Sequence, residues 1–217
     1  MSKPIDDFWK IRLEEVKSAL EGNNFEVCIA PNKEEAKAKF LNEIFPGLGV
    51  KSVSYGGSMT FVESGIFDAV KNNPDIEFID PWEKGTPPEE SMERRRQALL
   101  VDLFITGTNA VTEAGQLINL DATGNRVAAL TFGPKQVMLF IGRNKIVSDL
   151  EEAMFRVKNY VAPVNSMRLK RKTPCVKTSY CEECKSPERI CNTWTITEKS
   201  SPKGRTKIML INEDMGF

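Results

Sequence analysis

Residues 101–115 read VDLFITGTNAVTEAG. The first six, VDLFIT (101–106), form an apolar run of strand length, which suits a strand buried on both faces. The chain then enters a loop crowded with Thr106, Thr108, Asn109, Thr112 and Glu113. A plain turn does not require so many hydroxyl, amide and carboxylate groups. An apolar strand delivering them at its carboxyl end is the pattern of an open α/β sheet, whose ligands gather outside those strand ends.

Working outward toward the N-terminus, strands and helices alternate. Ile5, Phe8, Trp9, Leu13, Val16 and Leu20 recur at helical spacing over 4–22, and Gly22-Asn23-Asn24 ends the run. FEVCIA (25–30) reads as a strand, and 32–45 as a helix opened by Asn32 and stopped by Pro46-Gly47. KSVSY (51–55) is the next strand, followed by a GGSMT turn and a helix to about Val70. IEFID (76–80) is a third strand, and 89–99 a charged helix.

On the C-terminal side, QLINLD (116–121), VAAL (127–130) and VMLFIG (137–142) read as consecutive strands joined by tight turns. VSDLEEAMFRVKNYV (147–161) returns to helix, with Ser148 as N-cap and Glu151 completing a capping box. Ala162-Pro163 opens a different region, in which TWTITEK (193–199) and TKIMLIN (206–212) read as a hairpin or two added edge strands. The expected fold is α/β: an open, mixed, mostly parallel Rossmann-like sheet flanked by helices over 1–162. Residues 163–217 are expected to form a cysteine-bearing C-terminal appendage packed on the same domain.

Composition narrows the chemistry. Thirty basic and thirty acidic residues cancel, so nothing global points to nucleic acid or an anionic membrane. No apolar run approaches the roughly 18 residues of a membrane span, and the first residues lack a signal-peptide core. The expectation is a cytoplasmic protein with no membrane insertion. Histidine is absent, which removes the usual general base and a common metal ligand.

YGGSMT (55–60) forms a second strand-to-helix loop. Gly56 and Gly57 let the backbone approach a ligand closely, while Ser58, Thr60 and the amides of the helix start offer donors to an anion. The plainer alternative is that Ser58 or Thr60 caps its own helix. Together with Thr106, Thr108, Asn109 and Thr112, these residues make a candidate anion cleft. Glu113 is the candidate nucleophile or base, although Asn109, Thr112 and Glu113 also suit loop-internal hydrogen bonds.

YGGSMTFVESGIFDAV and DLFITGTNAVTEAGQLINLDATGNRVAALTFGPKQVMLFIGRNKIV resemble the LUD (lactate-utilisation) domain family over about residues 15–160, with ITGTNAVTEAG the diagnostic part. The resemblance implies a fold similar to ribose-phosphate isomerase, glucosamine-phosphate deaminase and CoA transferases. It also implies an accessory role in lactate (organic-acid) oxidation beside iron–sulfur redox subunits. The sugar-phosphate enzymes of that wider group place an acidic residue where this chain has Gly107-Thr108-Asn109, so isomerase chemistry is not expected. A CoA- or acyl-transferase reading rests on Glu113 by analogy. A non-catalytic ligand-binding module is the third reading.

Cys28 sits alone in an apolar run, whereas Cys175, Cys181, Cys184 and Cys191 cluster with spacing C-x5-C-x2-C-x6-C. Four thiols in one segment suit a metal, either an iron–sulfur cluster or zinc, with free thiols as the bland alternative. The family's association favours the cluster. The basic run Arg168, Lys170, Arg171 and Lys172 reads as a solvated segment or a docking patch for an acidic redox partner.

Overall fold

The computed structural model describes residues 3–217; Met1 and Ser2, counted in the expected 1–162 domain, lie outside the described residues. The N-terminal half is α1 (Pro4–Gly22), β1 (Glu26–Ala30), α2 (Lys33–Lys39), α3 (Phe45–Gly47), β2 (Ser52–Tyr55), α4 (Met59–Glu63), α5 (Ile66–Lys71), β3 (Glu77–Ile79) and α6 (Pro88–Gln97). There follow β4 (Leu103–Thr106), β5 (Ala110–Thr112), β6 (Leu117–Asp121), α7 (Asn125–Thr131), β7 (Gln136–Gly142) and β8 (Ile146–Val147). The chain ends with α8 (Leu150–Arg156), α9 (Ala162–Arg168), α10 (Cys175–Thr178), β9 (Thr193–Thr197) and β10 (Thr206–Ile211).

The main sheet has six strands in the order β1-β10-β7-β4-β2-β3, every neighbouring pair parallel. A second sheet, β8-β5-β6-β9, carries the antiparallel pairs. The expected open α/β architecture is therefore present, with all antiparallel pairs confined to the second sheet, where β5 and β8 pair in parallel. Strand alternation splits the core cleanly. Met138, Phe140, Met209 and Ile211 face Phe40, Phe45 and Phe61 on one side of the sheet. Val137, Leu139, Ile141, Ile208 and Leu210 face Leu13, Val16 and Leu20 of α1 on the other.

Three sequence expectations need correction. VAAL (127–130) is not a strand but the middle of α7. Asp121 Oδ2 accepts the backbone N–H of Arg126 at 3.1 Å and of Val127 at 3.4 Å, capping the first turn. Val127 and Leu130 then share the buried face at helical spacing; a four-residue apolar run alone does not distinguish the two structures. This helix carries the chain between sheets, so QLINLD (β6) and VMLFIG (β7) are not neighbours.

The last two strands do not form a hairpin or two edges. β9 pairs antiparallel with β6 at the edge of the second sheet, whereas β10 lies inside the main sheet between β1 and β7. Their burial explains the difference: Ile208, Met209, Leu210 and Ile211 are buried on both faces of β10, as an interior parallel strand requires.

Two local readings also shift. The capping box read at Ser148 and Glu151 starts one residue later: Asp149 caps α8 by accepting from Glu152 N at 2.9 Å, and Glu152 accepts from Ser148 N at 2.8 Å. The helix does not stop before Ala162-Pro163. It continues through a π-helical turn, Val157–Val161, into α9.

The placement of the last two strands sets a stability contrast. Leu210→Ala empties a fully buried site in β10 and is expected to cost about 2–5 kcal/mol in urea unfolding. Ile196→Ala in β9, at an exposed position, is expected to stay within about 0.5 kcal/mol.

Candidate functional site

β2 and β4 are parallel neighbours, so the loops leaving their carboxyl ends emerge side by side. Gly56 N donates to Ile105 O at 2.9 Å and Thr106 Oγ1 to Gly56 O at 3.2 Å, extending the strand contact into the loops. The glycines make the approach possible. A Cβ on Gly56 would lie 2.8 Å from Arg126 Cγ, and one on Gly107 would lie 2.8 Å from Ser58 Oγ.

A cleft of about 320 Å³ opens above these loops, within the range for small-ligand sites. Gly57, Ser58, Thr106, Thr108 and Asn109 line it, as the sequence suggested; Gly56, Thr60, Thr112 and Glu113 do not. Gly56 packs just beneath, and Thr60 stands behind the wall, where it accepts from Lys145. Thr112 is bonded to Gln116 within its own loop. Glu113 pairs with Arg12 of α1 at 2.6 Å and is half exposed. The expected meeting of Glu113 with the GGSMT loop does not occur, because β5 turns away into the second sheet.

Most of the loop hydroxyls and amides serve the fold. Ser58 is the N-cap of α4, accepting from Phe61 N at 3.3 Å. Thr108 Oγ1 lies 3.0 Å from both Ala110 O and Ile118 O, a donor shared between two carbonyls. Asn109 Oδ1 accepts from Leu120 N and from Arg126 Nη2, both at 2.9 Å.

Of the charged residues of the cleft, the sequence reading named only Arg168 and Arg171, as a basic run away from any cleft. Arg95, Arg126, Lys145, Arg168 and Arg171 line it, opposed by a single acidic side chain, Asp121. Asp121 is committed to Arg126 Nε at 2.9 Å. The remaining guanidinium donors of Arg126 reach Asn119 Oδ1, Asn109 Oδ1, Gly107 O and Leu120 O. Arg126 thus braces the cleft floor and contributes its charge rather than a free donor.

Lys145 is the opposite case. Its side chain is 4% exposed, and its Nζ donates to Thr60 Oγ1 at 2.9 Å. Among the described residues no carboxylate forms an ion pair with it. Burial, followed by the nearby Arg156 and Arg126 charges, lowers its pKa from 10.5 to about 7. Glu63 opposes this shift from a distance without forming an ion pair, and burial pushes the amine toward its neutral form. The signal in RNK (143–145) was absent because lysine is among the residues most often exposed.

One wall belongs to the α8–α9 rod, from which Val157, Val161, Asn165 and Arg168 project at spacings of one helical turn. Arg168 and Arg171 therefore face the cleft and are not simply a solvated run. Opposite stands Trp82, half exposed, with Arg95 stacked over its indole at 5.5 Å. The four clustered cysteines lie apart from this cleft. All four border a second cavity of about 10 Å³, behind α9. They are free thiols, and among the described residues no three acidic or sulfur ligands converge as a preformed metal set.

A parallel α/β sheet with a basic cleft at its strand ends defines the class of protein. The LUD domain family model matches residues 13–211, and the chain belongs to that family. The match runs past 160 and takes in the cysteine segment, β9 and all of β10. A crystal structure of a DUF162 family protein from Deinococcus radiodurans is similar, at 13% identity and a TM-score of 0.49, covering 94% of this chain and 97% of that one. No curated protein matches the chain.

Arg126→Gln leaves Asp121 without its partner, both side chains being 12% exposed. Its expected cost is about 3 kcal/mol or more in chemical denaturation. Glu113→Gln removes only the Arg12 surface pair and is expected to cost less than about 1 kcal/mol.

Proposed function

We propose that the cleft is an anion-binding site and that the protein works as an accessory, ligand-binding component of organic-acid oxidation, the lactate-type system that its family association suggests. The observation that carries the reading is Lys145, a buried amine at the cleft with no carboxylate partner. A ligand carboxylate or phosphate would complete its ion pair, and protonated Lys145 would then be favoured. Arg168 and Arg171 supply further positive charge at the rim, and Trp82 offers an aromatic wall. The volume suits a small organic acid or a phosphorylated compound of similar size. Asp121, the one acidic side chain lining the cleft, is paired with Arg126, and histidine is absent, so among the lining side chains proton transfer would fall to Lys145. A transferase mechanism through Glu113 would need that carboxylate in the cleft, and it is held instead by Arg12.

The lysine gives this reading a pH signature. Its folded pKa, about 7, lies below the ordinary 10.5. The unfolded chain therefore binds more protons between those values, and the stability of the ligand-free protein is expected to rise with pH across that window. Anion affinity should move the other way, falling above about pH 7 as the amine deprotonates. Titration calorimetry with lactate, malonate and inorganic phosphate, in buffers of different ionisation enthalpy, should show proton uptake on binding above about pH 7. Lys145→Met is expected to weaken binding by about 2 kcal/mol, roughly 30-fold, and to abolish the proton uptake. Binding of these anions that is unchanged in Lys145→Met and insensitive to pH would overturn the proposal.

A further inference from the structure

Cys175 opens α10, Cys181 and Cys184 sit on the loop after it, and Cys191 lies two residues before β9. These positions are apart in the chain, yet all four residues border the same small cavity. Its volume of about 10 Å³ is close to that of a single water-sized sphere. That scale is nearer to one ion than to a multi-iron cluster with its bridging sulfides.

The surroundings fit a concentrated negative charge. Arg189 and Lys158 both border the cavity. The Arg189 guanidinium donates to Cys184 O and Cys191 O, each at 2.8 Å, tying the two halves of the cysteine segment together. Its Nε is buried with no acceptor of its own. In the Cys181–Cys184 turn, Glu183 adopts a positive φ of 48° and its N–H points to Cys181 Sγ at 3.4 Å. The same sulfur lies 3.6 Å from Glu183 Oε1. Cys191 is packed against the core of the second sheet, beside Leu150 and Trp194.

We propose that Cys175, Cys181, Cys184 and Cys191 bind one Zn²⁺ ion as a tetrathiolate site. Four thiolates satisfy the tetrahedral preference of zinc at about 2.3 Å per bond, and binding draws the sulfurs together while releasing their protons to solvent. Arg189 offsets part of the net negative charge of the complex, whereas Lys158 is already paired with Glu183 at 2.9 Å. The ion's role is structural, since four protein ligands leave no open position for substrate. Ala162 and Ile190 border both this cavity and the anion cleft, so the ion would fix the wall that the two share. This inference does not depend on what the cleft binds.

The test is metal and sulfide analysis of the full chain purified under reducing, anaerobic conditions, together with Co²⁺ substitution. The expected result is one zinc per chain, no labile sulfide, and thiolate-to-cobalt charge-transfer bands with the intense red absorption of tetrahedral Co²⁺. Cys184→Ser should lower zinc content more than tenfold, while Cys28→Ser, in β1, should leave it unchanged. If Cys184→Ser does not fold, the cobalt spectrum of the native chain decides. Several irons with labile sulfide, disulfides between these cysteines, or a reduced chain that takes up neither zinc nor cobalt would each overturn the proposal.

Discussion

The site depends on one buried guanidinium. Arg126 reaches β6 through Asp121 and Asn119, the β4–β5 loop through Asn109 and Gly107, and the end of β6 again through Leu120 O. A planar cation with fixed donor directions can hold this many acceptors at once, which a lysine cannot. The two loops that form the cleft floor meet on its aliphatic stem, where Gly56 leaves no room for a side chain. Because its donors are saturated, Arg126 is stable where it lies. Its charge still acts at a distance, as one of the causes lowering the Lys145 pKa.

The cleft therefore contains two kinds of cation. Arg126 is fully partnered by the protein and fixes shape. Lys145 has one hydroxyl partner and no ion pair, so the fold leaves its electrostatic requirement open to something outside the chain. The same economy governs the polar loop residues: most of the hydroxyls that suggested a ligand site are consumed in building it. The electrostatic character comes from side chains brought in by α6, α7, α9 and the segment after β7, none of which adjoins the GGSMT turn in sequence.

How much of this could be read in the sequence follows the range of the forces involved. The alternating strands and helices through β4 rest on local periodicity and capping, and Asn32, accepting from Glu35 N at 2.8 Å, caps α2 as expected. VAAL was ambiguous because its four apolar residues satisfy either period, and the deciding interaction is the Asp121 cap outside the run. TKIMLIN carried a stronger signal than it received, since four consecutive apolar residues suit a strand buried on both faces. Of the two loops read as a ligand cleft, Gly57, Ser58, Thr106, Thr108 and Asn109 line the cavity, and Gly56 and Thr60 do not. Glu113 was misplaced because sequence adjacency to that floor says nothing about the turn of β5 into the second sheet. Lys145 and Arg168 become visible only once helices distant in sequence have packed.

The interior position of β10 has a consequence for how the chain is made. β1 has no neighbour in its sheet other than β10, and the Lys207–Glu26 pair that joins them spans 181 residues. During vectorial synthesis β1 and β7 wait, each with an open backbone edge, until β10 (Thr206–Ile211) has left the ribosome. Parallel pairing at that separation is slow, and open edges invite pairing with other chains. The nascent protein thus passes through a long interval as a split sheet, the state in which a holdase chaperone has the most to protect.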